Sequence, residues 1–132
     1  MKIVTEDLTV VWHFAAATLR HGAPLPAAGT DLGPIPNPRP GARGWHGSVS
    51  ILDALYYAPG FNLALRGIYG TVIASTDKHC ASHCVMLTGY VDVSDILGRF
   101  ARFCALRALR VHAAGALRAA GLSTHASILE SL

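Results

Sequence analysis

Short apolar stretches with alternating or β-branched character dominate the first two thirds of the chain and predict strands. Four segments have this character: residues 8–14 (LTVVWHF), 61–67 (FNLALRG), 68–75 (IYGTVIAS) and 84–93 (CVMLTGYVDV). In the first of them, alternation places Val10, Trp12 and Phe14 on one face. Gly67 and Gly70, at the junction of the second and third, predict a tight turn or a bulge.

One stretch between these segments has the period of a helix. Residues 45–60 read WHGSVSILDALYYAPG, in which Ser50 and Asp53 have the spacing of a capping box. Pro59–Gly60 ends the helix, because Pro cannot continue it and Gly accepts a positive φ. The pattern predicts a helix over Ser50–Tyr57, whose buried face is formed by Leu52, Leu55 and Tyr56.

The last third of the chain is helical in pattern. Asp92 with Asp95 caps the start of a long amphipathic helix, predicted over Val93–His112, and a further helix is predicted over Ser123–Ser131. Strands and one short helix come first and helices follow. This order predicts an α+β fold, with a small mixed or antiparallel sheet, a short helix and a C-terminal helical segment.

Four arginines fall in one broad sector of the long predicted helix: Arg99, Arg102, Arg107 and Arg110. A helix with a packed apolar side and a solvated arginine edge is the simpler interpretation, since charged runs commonly face water. The alternative is a partner-binding surface directed toward an acidic protein.

Residues 23–44 hold six of the seven prolines of the chain. Proline removes a backbone donor and restrains the preceding residue, so this segment predicts a long extended loop. Loops of this length in compact domains are commonly functional. With 132 residues, the chain is expected to form a single domain over residues 1–132.

The composition narrows the classes of partner. Hydrophobic residues make up 52% of the chain, the mean hydropathy is +0.37, and charged residues make up only 14%. No apolar run reaches the length of a membrane span. Because apolar residues are many and charged residues few, we expect a partner protein or a second copy of the chain to cover an apolar face. A net charge of +3 is low for a nucleic-acid binder. Three cysteines and no signal peptide predict a reducing, cytoplasmic location.

The densest group of potential metal ligands is KHCASHC, which contains His79, Cys80, His83 and Cys84. Imidazole and thiolate are ligands that zinc prefers. A single helical turn, however, directs only two of the four side chains toward one ion, and structural zinc motifs usually have two spaced pairs. We therefore predict no metal at this cluster. Two further groups have the residue types of a nucleophilic site, but neither has the arrangement that such a site requires: Cys80 beside His79, and Ser48 with His46 and Asp53. The sequence contains no phosphate-binding glycine-loop motif.

Three segments together resemble a family of small uncharacterised proteins from phages and bacteria. They are GWHGSVSILDALYYAPG, GIYGTVIASTDKHCAS and VDVSDILGRFARFCAL, covering about residues 44–106, with DALxYAPG and FARxCAL as the most specific elements. The resemblance implies an origin in a phage or mobile element and assigns no activity.

A more distant similarity is to ADP-ribosyltransferases. WHGS is similar to the motif of that family in which a histidine contacts the nicotinamide ribose, and RGIYG is similar to its later strand segment. This similarity implies that His46 and Tyr69 flank the nicotinamide of bound NAD in a common cleft. The catalytic glutamate has no counterpart, since no Glu follows Tyr69 until Glu130.

These observations favour a non-catalytic protein that binds and inhibits a component of a host cell. A component of bacterial immunity is the expected target, in the manner of an anti-CRISPR protein, and no cofactor is expected. An NAD-binding enzyme of the ADP-ribosyltransferase type is the alternative.

Overall fold

The computed structural model describes residues 7–132. The chain divides into two compact units, Met1–Val93 and Ser94–Leu132. Since compact units need not be independent domains, the single domain expected from the sequence stays a prediction. Each unit is described by itself.

The first unit is an antiparallel sheet with one short α-helix and a 3₁₀ turn at Arg20–Gly22. Its elements are β1 (Thr9–Ala15), β2 (Trp45–Gly47), α1 (Ile51–Tyr56), β3 (Asn62–Ala74), β4 (His79–Met86) and β5 (Val91–Asp92). The strand order is β1-β3-β4-β2, and the short β5 pairs with the first residues of β3. All of these pairings are antiparallel. The α+β fold with an antiparallel sheet is thus confirmed.

The sheet curls so that its two outer strands meet. Trp12 and Ser48 exchange two backbone hydrogen bonds, of 2.7 and 3.0 Å, which join β1 to the residue directly after β2. The core inside the curl contains Val11, Ile68 and Cys84, none of which is exposed to solvent. On β1, Val11 is therefore fully buried, while Val10 is half exposed.

The proline-rich loop is held along the sheet. Ile35 and Leu32 donate backbone hydrogen bonds to Ser82 and Cys84 of β4, of 2.7 and 2.9 Å. The loop thereby supplies hydrogen-bond partners to the backbone groups of β4 that lie beyond the end of the short β2.

Two predicted strands are one strand in the structure. β3 runs through Gly70, which has a φ of 81°, and the register with β4 shifts between Tyr69 and Val72. The predicted irregularity at Gly70 is thus present as a bulge, because the extra residue lets the strand continue instead of turning back.

The helix predicted over Ser50–Tyr57 is present as α1, but its predicted buried face is wrong. Leu52 is 60% exposed and Tyr56 83% exposed, and Leu55 is half-buried. The short side chain of Ala54 is buried instead. A helix of six residues offers only one position to a sheet that approaches it closely, and a small residue fits there.

The second unit is helical. Its elements are α2 (Ser94–Arg107), a π-helical segment (Ala108–Ala113), α3 (Ala114–Ala119) and α4 (Ser123–Glu130). Ala114 of α3 and Ala126 of α4 are buried, and Arg118 forms a two-pronged ion pair with Glu130 at 2.7 and 2.8 Å. The two predicted C-terminal helices are therefore present. Across residues 7–132, no helix has the length and apolar character required to cross a bilayer.

Candidate functional site

The first unit contains a cavity of about 870 Å³. It lies between β1 and the residues that follow it, the end of the proline-rich loop with β2, and the C-terminal end of α1. A volume of this size suits a small organic ligand, since such pockets span roughly 300–1,000 Å³.

The charged residues lining this cavity all have the same sign. Four of them are cationic: Arg20, Arg43, Arg66 and Lys78. The described lining contains no Asp or Glu, although it contains three histidines. Low-dielectric walls around charges of one sign focus their field and attract an anion.

Arg66 is the most unusual of the four cations because it is only 3% exposed. β3 carries it between Ala64 and Ile68, both buried. Its guanidinium donates to the carbonyl oxygen of His46 at 3.2 Å and to the hydroxyl of Tyr90 at 2.9 Å. In the described part of the chain its Nε has no hydrogen-bond partner, and no carboxylate lies within ion-pair distance.

Tyr90 connects Arg66 to His13. The Tyr90 oxygen accepts from Arg66, and its hydroxyl lies 2.8 Å from Nδ1 of His13. Burial, with the positive charge of Arg66 and the nearby His46, lowers the pKa of His13 to about 3. His13 is therefore neutral at physiological pH, and Arg66 carries the fixed charge of this group.

His46 lines the cavity and is held by its own loop. The backbone N–H of Gly41 donates to Nε2 at 3.0 Å, and Nδ1 lies 3.0 Å from the carbonyl oxygen of Gly44. The neutral ring with a proton on Nδ1 satisfies both bonds. Burial is the main influence lowering the pKa of His46; Lys78, Arg20 and Arg66 add to it, and the bond to Gly44 acts in the opposite direction.

Two aromatic rings of the lining are associated with cations of the lining. The Arg66 guanidinium carbon lies 5.8 Å from the centre of the Trp45 ring, and Lys78 Nζ lies 4.8 Å from the centre of the Tyr57 ring. Trp45 donates its indole N–H to the carbonyl oxygen of Gly33 at 2.9 Å, which fixes the orientation of the ring. The site therefore combines positive charge with flat apolar surface.

The structure does not bring His46 and Tyr69 together. His46 pairs with Cys80 of β4 and Tyr69 pairs with His83. Residues three apart on a strand point to opposite faces of a sheet, and Tyr69 does not line the cavity. Tyr69 stacks on His83 at 5.0 Å and donates to Asp31 at 2.9 Å. The common nicotinamide cleft predicted for His46 and Tyr69 is thus not formed.

The four potential zinc ligands lie on the extended strand β4 and not on a helical turn. Along a strand, His79 and His83 share one face, while Cys80 and Cys84 share the other. Within residues 7–132, no cluster of three or more His, Cys, Asp or Glu side chains is placed to bind a metal ion. The absence of zinc stays a prediction, which elemental analysis of the purified protein tests.

The four arginines of the predicted partner-binding surface lie on α2 and the π-helical segment, and all are exposed. Arg99 forms an ion pair with Asp95 at 3.2 Å. No residue of α2 is buried, so the packed apolar side expected for this helix is wrong in this structure.

No pattern in the sequence indicates Arg66, Tyr90 and His13 as site residues. Alternation along residues 61–67 predicts a half-buried strand with Phe61 on one face and Ala64 and Arg66 on the other, whereas Ala64 and Arg66 are buried and Phe61 is exposed. The small residues Ala64 and Gly67 flank Arg66 in the sequence. They are a signal that neighbouring elements can approach closely here and leave room for the long Arg66 side chain.

No protein-family model, curated protein or solved structure matches this chain significantly.

Proposed function

We propose that the first unit is a non-catalytic binding module whose cavity takes an anionic ligand, with Arg66 as its anchor. The observation that carries this proposal is the burial of a guanidinium without a carboxylate of residues 7–132 beside it. Removing an ion from water costs several kcal/mol, and a counter-charge is the usual compensation.

The neutral partners of Arg66 compensate for only part of this cost. The His46 carbonyl, the Tyr90 hydroxyl and the Trp45 ring supply dipoles, while Nε remains without a partner among the described residues. A bound phosphate or carboxylate supplies a full negative charge to a donor group that is already held in place. Arg20, Arg43 and Lys78 line the same cavity and add to the attraction.

The lining supports binding more than catalysis. Transfer from a nucleotide sugar requires a carboxylate to stabilise positive charge in the transition state, and the described lining has none. His13, with a pKa of about 3, is a poor general base at neutral pH. For these reasons the transferase-type enzyme is not the function that we propose.

Titration calorimetry with sodium tripolyphosphate tests the proposal, because this anion has no organic group. We expect the wild type to bind it, with affinity that decreases as NaCl is added. Arg66→Met should weaken binding at least about tenfold, since a charge-assisted hydrogen bond contributes about 1.5–3 kcal/mol. The matched control is Arg39→Met, an exposed arginine of the same unit outside the lining. No binding by the wild type, or an equal loss in both variants, overturns the proposal.

A second candidate function is the inhibition of a host protein through α2. Ile96, Phe100 and Phe103 recur at the spacing of one helix stripe, and all are exposed, Phe103 by 61%. Residues 94–132 contain five arginines and two acidic residues. An apolar stripe on a positively charged unit favours an acidic protein surface as the partner.

Capture of a host protein by the immobilised chain tests this second function. We expect Phe103→Glu to abolish capture, because the substitution adds a negative charge to the stripe. The matched control Ile128→Glu changes an equally exposed apolar residue on α4 and should leave capture intact. Capture that both variants retain, or that both lose, contradicts a role for α2.

A further inference from the structure

We infer that the ligand of the cavity is a nucleotide, whose phosphates contact the cations and whose base lies against the aromatic rings. This inference rests on the proposed anion-binding function and adds the chemical class of the ligand. Its first support is size, because 870 Å³ far exceeds the space that a bare inorganic anion fills. A water molecule occupies about 30 Å³ in the liquid, and a phosphate is only a few times larger.

The second support is the apolar part of the lining. Besides the cations, the cavity is bounded by aliphatic side chains and by small residues: Ala15, Ala16, Leu19, Ile35, Ala54 and Pro59. An inorganic anion leaves such a surface in contact with water. An organic body attached to the anion covers it, and this burial is the main source of affinity in small-molecule sites.

The third support is the placement of the aromatic rings beside the charges. Trp45 and Tyr57 both line the cavity, and each is associated with a cation that also lines it, Arg66 and Lys78 respectively. A nucleotide joins a flat aromatic base to a multiply charged phosphate group over a short distance. The stacking of one base on an aromatic side chain contributes about 1–3 kcal/mol to binding, as alanine substitution of the aromatic residue measures it.

The number of cations favours a di- or triphosphate over a single carboxylate. Arg20, Arg43, Arg66 and Lys78 form no ion pair within the described chain. One negative charge compensates one of them, whereas the phosphates of ATP carry several charges. Arginine also matches phosphate geometry through two parallel hydrogen bonds.

The experiment compares ATP, tripolyphosphate and adenosine by calorimetry in magnesium-free buffer. We expect ATP to bind at least about tenfold more tightly than tripolyphosphate, which corresponds to about 1.4 kcal/mol of stacking and burial. Adenosine alone should bind more weakly than either, since it lacks the group that Arg66 contacts.

Ring variants identify where the base lies. Tyr57→Leu should reduce the preference for ATP over tripolyphosphate while leaving tripolyphosphate affinity within about twofold of wild type. Its matched control is Tyr56→Leu, because Tyr56 is 83% exposed and lies outside the lining. Trp45→Leu provides the same comparison at the second ring, and thermal unfolding verifies that each variant is folded.

Each result separates the two proposals. Equal affinity for ATP and tripolyphosphate overturns the nucleotide inference and leaves the anion site in place. Binding of neither overturns both. A preference for ATP that persists in both ring variants removes the aromatic rings as the base site and overturns the inference in its stated form.

Discussion

Arg66 donates to the hydroxyl of Tyr90 at 2.9 Å, and that hydroxyl lies 2.8 Å from Nδ1 of His13. The contact joins a buried positive charge to two neutral groups. Since Arg66 can only donate, the Tyr90 oxygen must accept, which leaves the hydroxyl hydrogen available to a neutral His13. The relation between Arg66 and Tyr90 therefore orients the Tyr90 hydroxyl toward Nδ1 of His13.

A buried charge retained for ligand binding should reduce the stability of the free protein. We expect Arg66→Met to unfold at the same temperature as the wild type or at a higher one. Methionine fills a similar length, and replacing buried charges by apolar residues is often neutral or stabilising by about 1–4 kcal/mol. Thermal unfolding followed by circular dichroism, without ligand, measures the difference. A decrease in Tm of several degrees indicates instead that the bonds to His46 and Tyr90 stabilise the fold.

His13 should make stability depend on pH. Its pKa is about 3 in the folded chain and 6.5 in the unfolded chain, so between these values the unfolded state binds more protons. The free energy of unfolding therefore decreases as the pH falls below 6.5, by about 1.4 kcal/mol for each pH unit at most. The contribution is fully present above pH 6.5.

Urea unfolding at pH 7 and pH 5 measures this dependence. Both pH values lie above the range in which most carboxylates titrate. His13→Gln keeps a polar group for Tyr90 and removes the titration, so its stability should change less between the two pH values. Equal slopes for the variant and the wild type would mean that His13 does not titrate differently in the two states.

Several elements of the fold could be predicted because short-range chemistry determines them. α1 ends at Tyr56, three residues before Pro59, which cannot continue a helix, and Gly70 with φ at 81° produces the bulge of β3. The helix over Ser123–Glu130 follows from its apolar period. Each of these features depends on residues close together in the sequence.

The burial of particular faces could not be predicted in the same way. Leu52 and Tyr56 have the period of a buried stripe, yet α1 has only six residues and buries Ala54. In β3 the polar Arg66 occupies the inner face, because the sheet curls and the partner groups come from β2 and the region before β5. Alternation identifies two faces of a strand, but the distant partners decide which face is inside.

Residues of the candidate site were identified only where the sequence places them together. His46 was found because WHGS is a local motif, and its neighbours Gly41 and Gly44 are within five residues. Arg66, Tyr90 and His13 are separated by up to 77 residues. Their association depends on the pairing of β1 with β3, which no local pattern contains.

The three cysteines should differ sharply in reactivity. Burial raises the pKa of the Cys84 thiol to about 11, and burial also raises the pKa of Cys80, whose Sγ lies 2.9 Å from the carbonyl oxygen of Arg43. Cys104 is exposed on α2. Because the thiolate is the reactive form, we expect a disulfide reagent at pH 8 to label one cysteine per native chain and three after unfolding in urea. Cys104→Ser should remove the fast label, and rapid labelling that persists in this variant would show that β4 opens.

Closure of the curled sheet should depend on the absence of a side chain at Gly47. A Cβ at this position would overlap Cγ2 of Val11 and come within 2.7 Å of its Cβ. Val11 is fully buried and belongs to a β-branched type with few alternative rotamers, so the overlap cannot be relieved by rotation alone. Gly47→Ala should reduce the free energy of unfolding by about 1–3 kcal/mol. The matched control is Gly89→Ala, because none of the residues that the structure describes lies within 4 Å of a Cβ built there and its φ lies outside the positive range. That variant should be neutral, or slightly stabilising through the lower entropy of its unfolded chain. Urea unfolding of both variants measures the difference.

Because β2 and the adjoining loop line the cavity, Gly47→Ala should also weaken tripolyphosphate binding, whereas Gly89→Ala should not. Equal stability of the two variants would mean that β1 and β2 do not approach each other in solution as they do in this fold.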